Sequence, residues 1–390
     1  MKRSYQALDM FAVEALLSEE ERQVRDTVRA FVNGQVLPII ERHFREGTFP
    51  THLIPEMARM GLLGASLEGY GCPGLGSVAY GLIMQELERG DSGLRSFVSV
   101  QGALCMFPIH AFGTESQKRT WLPRMAAGEA IGCFGLTEPD AGSDPASMRT
   151  HADKQGDHYV LNGSKAWITS GSIADVAVIW ARSDEGRIRG FLVERGTRGF
   201  STRDHEGKFS LRASVTSELI LQDCAVPAAN LLPGTTGLKS ALLCLNEARY
   251  GIAWGGLGSA MAVFDEALSY ARNRVVFGKP IAAFQLQQEK LVFMASEITK
   301  GQLLALRLGR LKEEGKATPA QISMGKRNNI WVARECARLA REILGAVGIA
   351  DEFQSGRHMA NMEAVYTYEG THDIHTLIIG EALTGHPAYS

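Results

Sequence analysis

Residues 158–169 read HYVLNGSKAWIT, and their composition decides the kind of fold the chain adopts. Tyr159, Val160, Trp167 and Ile168 favour a pleated, half-buried surface. Asn162-Gly163 lies between them, and that dipeptide accepts the positive φ of a two-residue turn, so a hairpin is expected there. The same texture recurs outward at residues 175–182 (DVAVIWAR), 187–195 (RIRGFLVER) and 217–226 (SELILQDCAV), with turn residues between the runs. The β region opens at Ile131 and closes around residues 227–233, a stretch bounded by two prolines.

Both flanks are helical. Ser18 with Glu21 three residues on forms a capping box, and Val24, Val28, Phe31 and Val32 follow at helical spacing. Further helices are expected over residues 53–63, 77–89, 94–112 and 115–127, then over 238–272, 285–312 and 319–344, with a short one after Thr371. The order helical, β, helical predicts an α+β chain of three units. These are an N-terminal helical domain (1–130), a middle β-barrel or sandwich-like domain (131–236) and a C-terminal four-helix-bundle domain (237–390).

A chain of 390 residues supports such a division. Hydrophobic residues make up 45% and charged residues 22%, both ordinary for a globular protein. A net charge of −2 gives no basic field, which excludes generic binding of nucleic acid or anionic membrane. The six cysteines are scattered without a C-x-x-C pair, so neither a disulfide framework nor a zinc site is expected, and no metal. The N-terminus lacks an apolar signal core and no long uncharged apolar run follows, so a cytoplasmic protein without membrane insertion is expected.

Several stretches carry chemistry. Residues 364–375 read AVYTYEGTHDIH, placing Glu369 between Tyr368 and Gly370 just ahead of a helix that Thr371 caps and Asp373 favours electrostatically. An acid/base group can be aimed from such a connection; an exposed loop glutamate is the plainer alternative. Residues 69–74 match G-x-G-x-x-G, but Pro73 interrupts and the flanks are helical, so they read as a loop rather than a dinucleotide site. Residues 134–144 combine hydroxyls, carboxylates and glycines, as a turn that satisfies its own backbone through Thr, Asp and Ser side chains would. Trp167, Ile168 and Thr169 offer an indole and a hydroxyl to a planar heterocycle, or simply a strand. Arg274 to Gly278, then Gln285, join two long helices, and Leu344-Gly345-Ala346-Val347-Gly348 reads as a helix C-cap turn.

In this order and spacing the stretches resemble the acyl-CoA dehydrogenase family along essentially the whole chain. Within it the likeness is to the glutaryl-CoA dehydrogenases, carried by residues 91–96 (DSGLRS) with Ser99-Val100-Gln101, by 245–251 (LNEARYG) and by 368–375 (YEGTHDIH). The resemblance implies an FAD enzyme, a homotetramer, that passes electrons to electron-transfer flavoprotein. It implies that Phe134, Leu136, Thr137, Gly142, Ser143, Trp167, Ile168 and Thr169 line the isoalloxazine. Arg274, Phe277 and Gln285 would reach the diphosphate and adenine side across a subunit boundary. Glu342, Gly345, Ala346, Thr371 and Asp373 would complete the cofactor site, although the turn reads Gly-Ala where the family commonly has two adjacent glycines.

By the same likeness, Ser96, Ser143, Asn246, Arg249 and Gly370 contact the acyl-CoA. Glu369 removes the α-proton, its backbone N–H helping to hold the developing enolate oxygen. Some relatives carry the base just before the arginine equivalent to Arg249; here that position is Ala248, which leaves Glu369. Arg95 would fork onto the distal carboxylate of glutaryl-CoA, unless it forms an i,i+4 pair with Asp91. Glu88 and Tyr368 would lie beside that carboxylate and assist the step after CO2 loss to crotonyl-CoA. A dehydrogenase for another short acyl chain, a non-decarboxylating relative and a catalytically idle flavin binder are the alternatives.

Overall fold

The computed structural model of the chain describes residues 5–388. Its first third is helical: α1 (Glu19–Phe31), α2 (Ser77–Gly90), α3 (Ser92–Ser99) and α4 (Glu115–Ala126), with shorter helical pieces between. Ser18 caps α1 by the expected box, its hydroxyl accepting from the Glu21 N–H while the Glu21 carboxylate accepts from the Ser18 N–H. Asp91 breaks the helix between α2 and α3, extended at φ −167°, and its carboxylate accepts from the Gly93 N–H to start α3. Beyond α3 the helix runs on through a widened π-type turn, Val100–Met106, into Phe107–Phe112. Residues 69–74 form a loop with a two-stranded ribbon, Glu68–Gly69 against Cys72–Pro73, as their Pro and flanks require.

The middle unit is one mixed seven-stranded sheet: β1 (Gly132–Gly135), β2 (His151–Gln155), β3 (His158–Thr169), β4 (Val176–Ser183), β5 (Ile188–Glu194), β6 (Phe200–Asp204) and β7 (Thr216–Pro227). The strand order is β1-β4-β2-β3-β7-β6, with β5 also paired to β4. Strands β1 and β2 lie parallel to β4, and the other pairings are antiparallel. One expectation is corrected. Asn162-Gly163 is not a hairpin turn; both residues lie within β3, at a bulge where the register against β7 shifts between Leu161 and Gly163. A bulge asks for the same positive φ as a tight turn, and Gly163 supplies it at 145°. The Asn162 side chain pins the bulge by bonding both the Asp223 N–H (2.8 Å) and the Asp223 carboxylate (3.2 Å). The hairpin itself turns at Gly156-Asp157, between β2 and β3.

The C-terminal helices α5 (Leu238–Asn273), α6 (Gln285–Glu313) and α7 (Pro319–Leu344) keep close to their expected bounds. Two more complete the unit, α8 (Gln354–Thr367) and α9 (His372–Thr384); α8 was not legible in the sequence. Helix α5 is the axis on which both helical units pack, α2 on one side and α7 on another. It meets α2 at very close range: a methyl group on Gly255 would overlap the Glu88 carboxylate, and one on Gly258 would overlap the Gln85 backbone carbonyl. Around this seam Ile83, Met84 and Leu87 share a core with Trp254 and Leu257. Gly258→Ala is therefore expected to cost about 1–3 kcal/mol by overpacking, read as a lowered Tm; an unchanged Tm would mean that the seam yields. Among the described residues no helix is long and apolar enough to cross a membrane, and no group of three or more His, Cys, Asp or Glu side chains could hold a metal ion.

Candidate active site

Residues Tyr368, Glu369 and Gly370 connect α8 to α9, and the connection is unusual in its backbone. Glu369 has φ 52° and Gly370 φ 90°. For a residue with a Cβ, the left-handed region costs roughly 1–2 kcal/mol. That cost is met by cationic donors from two other helices. Arg249 on α5 donates from Nε to the Glu369 carbonyl at 2.8 Å. Lys326 on α7 donates to the carbonyls of Tyr368 and Gly370, the latter at 2.8 Å, with the Glu369 carbonyl at 3.4 Å. Beyond the turn, the Thr371 hydroxyl accepts from the Ile374 N–H and starts α9. Gly370 has room for backbone only: a methyl there would press on His375 and Arg249.

The Glu369 carboxylate has one oxygen, Oε2, buried without a hydrogen-bond partner. Burial pushes its pKa above the ordinary glutamate range, while Lys326, Arg95 and Arg249 pull it back. A carboxylate so placed accepts a proton more readily than an exposed one and has a lone pair free to do it.

Arg95, on α3, is fully buried in the same site. Its Nε donates to Glu88 Oε2 at 2.6 Å, and its Nη2 donates to the Tyr368 hydroxyl. Arg95 Nη1 and Glu88 Oε1 are buried and have no partner. The alternative pairing with Asp91 does not form. Asp91 instead accepts from Arg357 (2.8 Å) and Asn361 (3.0 Å), both on α8, besides capping α3. One carboxylate thus ties the helix carrying Arg95 to the helix leading into Tyr368. Burial pushes the Tyr368 phenol well above its ordinary range. Ala248 is buried, and its neighbour Glu247 is engaged by Lys312 at 2.7 Å. Ser96 is buried and Asn246 half-buried.

On the middle sheet, Phe134 and Leu136 are buried, and the Ala166 N–H donates to the Thr137 carbonyl. The turn after them is held by Glu138, which accepts from the Arg149 and Thr150 N–H groups and from the buried Lys165 ammonium at 2.8 Å. Burial lowers the Lys165 pKa to about 8 against the pull of Glu138. Across from this turn, Trp167 takes φ 62°, is 63% exposed and stacks on His205 at 4.5 Å, while Ile168 is buried and Thr169 half-buried. Gly142 and Ser143 are exposed, and a side chain on Gly142 would meet nothing. An indole 63% exposed, with His205 on one face, and an open glycine turn on the same sheet fit a planar heterocycle such as flavin.

The remaining predicted residues are not drawn into this cluster. Arg274, Phe277 and Gln285 are exposed where α5 passes through a small ribbon into α6, and Phe277 is 94% exposed. Glu342 already holds Lys290 (2.9 Å) and Arg338 (2.6 Å), and Gly345 and Ala346 lie exposed at the C-cap turn of α7. Asp373 is exposed in the first turn of α9. Sequence reasoning missed Lys326, Arg357, Asn361 and Lys165. Lys326 had left a signal: it falls on the buried stripe of α7 with Ile322, Asn329 and Ile330, where a charge requires a partner.

Fold and site define an acyl-CoA dehydrogenase, and the chain belongs to that family: residues 18–129 match its N-terminal domain, 133–224 its middle domain and 235–384 its C-terminal domain. It is an FAD-dependent oxidoreductase acting on an acyl-CoA. Among solved structures, a glutaryl-CoA dehydrogenase from Mycobacterium smegmatis superposes with a TM-score of 0.97 at 54% identity, over 98% of this chain and 99% of that one. A glutaryl-CoA dehydrogenase from the same organism in complex with FADH2 gives 0.97 at 51%, over 99% and 100%. The mitochondrial short-chain specific acyl-CoA dehydrogenase of Rattus norvegicus is 36% identical over 370 residues, 93% of this chain and 90% of that protein.

Proposed function

We propose that the chain oxidises glutaryl-CoA and decarboxylates the product to crotonyl-CoA, with Glu369 as the α-proton base. The observation that carries this reading is the fully buried Arg95 guanidinium, whose Nη1 lacks a partner in the same cluster as the unpartnered Glu369 oxygen. A buried N–H without an acceptor is costly, and a substrate carboxylate would satisfy it with a charge-assisted bond. The 54% identity to a glutaryl-CoA dehydrogenase supports the same substrate.

FAD, when bound, accepts the hydride from the substrate β-carbon. The residues that fit it are Phe134, Leu136, Thr137, Gly142, Ser143, Trp167, Ile168 and Thr169 along the sheet. Arg274, Phe277, Gln285, Gly345, Ala346, Thr371 and Asp373 would hold its remaining length, the exposed ones serving a neighbouring subunit of a homotetramer. Glu342 is already committed to two cations, so it would act by orienting the turn at Gly345. Glu369 takes the α-proton, and its backbone N–H steadies the thioester enolate. Arg95 holds the far carboxylate, with Glu88 and Tyr368 beside it to steady the dienolate left when CO2 departs and to help its reprotonation, the proton that Glu369 took being the one returned. Ser96, Ser143, Asn246, Arg249 and Gly370 line the path of the acyl-CoA. Electrons leave to electron-transfer flavoprotein.

A second reading has one observation in its favour. Glu88 already balances the Arg95 charge, so a short monocarboxylic acyl chain would not leave that charge uncompensated. Product analysis separates the readings: with glutaryl-CoA and an electron acceptor, mass spectrometry should find crotonyl-CoA and released CO2. Glutaconyl-CoA as the sole product would remove the decarboxylation, and no turnover of glutaryl-CoA would remove the substrate.

A further inference from the structure

We propose that Lys326 is a positioning residue for Glu369: its ammonium grips the carbonyls on either side of that residue, fixes the left-handed turn that aims the carboxylate, and lends it a positive field. The inference rests on Glu369 being the proton-abstracting base.

The geometry is specific. Three consecutive carbonyls, those of Tyr368, Glu369 and Gly370, face one nitrogen, Lys326 Nζ, on a residue only 2% exposed. An ammonium has three hydrogens to give and a neutral amine has two, so this acceptor set matches the charged form. Burial pulls the Lys326 pKa well below its ordinary value, and Glu369 opposes that pull. No acidic side chain forms an ion pair with Lys326 within the described residues. Its charge therefore acts on the turn and on the carboxylate within it. Backbone carbonyls turned towards Lys326 and Arg249 leave the Glu369 side chain as the free end of the turn.

The other ionisable groups facing Glu369 come from every neighbouring helix: Arg249 on α5, Arg95 on α3, Tyr80 on α2, His375 on α9 and the adjacent Tyr368. His375 is held neutral by burial, its pKa pushed down to about 2, and the two phenols are pushed upward and stay protonated, so the imidazole adds no positive charge and the phenols no negative charge at neutral pH. Of the cations that act on the Glu369 carboxyl, Lys326 has the strongest influence, ahead of Arg95 and Arg249.

The sign of the effect follows. Removing a neighbouring cation lets a carboxyl keep its proton to higher pH. In Lys326→Gln holoenzyme, flavin reduction by acyl-CoA should fall about tenfold or more at pH 7 with KM little changed, and the acid limb of its pH profile should move up by about one unit. The deficit should shrink as pH rises through the moved limb. Lys326→Arg keeps a charge while disturbing the carbonyl contacts, so its rate should fall with the limb in place. Should the Gln variant fail to hold flavin, Lys326→Met carries the same expectation.

Infrared difference spectra give a readout independent of turnover. The protonated-carboxyl band that disappears in Glu369→Gln should titrate at higher pH in the Lys326 variant. An unmoved band together with an unmoved limb would overturn the proposal, even if the rate fell. A Glu369→Gln enzyme that still reduced its flavin normally would sink the base assignment instead, and the infrared titration would still judge the coupling between the two residues.

Discussion

Glu369→Gln should retain flavin and bind acyl-CoA, yet reduce its flavin roughly 10²–10⁴-fold more slowly, the range of a lost general base. The substitution keeps size and one acceptor oxygen but cannot take a proton. Glutamine remains compatible with the turn, because the contacts that hold φ 52° are made by the backbone carbonyls rather than by the side chain. Stability should therefore change little. It should rise slightly if anything, since the variant no longer buries an ionisable carboxyl whose charged form burial disfavours. Stopped-flow reduction with excess substrate is the measurement. A rate within a fewfold of wild type would return the base role to some other group, and Ala248 offers none at the alternative position.

Arg95→Met should lower kcat/KM for glutaryl-CoA by roughly 2–5 kcal/mol of transition-state binding, the scale of a broken buried charge contact, while butyryl-CoA holds or improves. The single substitution has a second consequence, because it strands Glu88, which is also fully buried. Removing one partner of a buried pair costs about 3–5 kcal/mol of stability. The companion variant Glu88→Gln with Arg95→Met removes both charges and should recover much of that loss without recovering glutaryl-CoA. Equal losses for both substrates would mean that Arg95 serves packing and leaves the substrate unread.

The helices α5, α6 and α7 were legible by their length and the turn residues that bound them, α6 and α7 with a polar face and α5 buried on every side from Ala248 to Phe264. The strands were legible in composition but not in register. Asn162-Gly163 serves a bulge as well as a turn, and only pairing with β7 decides between them. Helix α8 was missed because polar residues, Arg357, His358 and Asn361, share its buried face with Met362 and Val365 as the only apolar ones; Arg357 and Asn361 face Asp91, a partner 266 and 270 residues away in sequence. In the site, Glu369 and Arg95 were readable from their local motifs. Lys326 left only the general signal of a charge on the buried stripe of α7, because its hydrogen bonds go to backbone carbonyls, which have no motif of their own. The exposed set around Phe277 and Gln285 raises the same difficulty at larger scale: in the proposed homotetramer it would meet a neighbouring subunit, yet in one chain it is surface.

The most direct test of the account is an anaerobic titration of the purified yellow protein followed at the flavin absorbance. Glutaryl-CoA should bleach it rapidly and near-stoichiometrically, and butyryl-CoA should do so far more slowly at the same concentration. Rapid bleaching by butyryl-CoA with none by glutaryl-CoA would contradict the reading of Arg95 as the group that selects a dicarboxylic substrate.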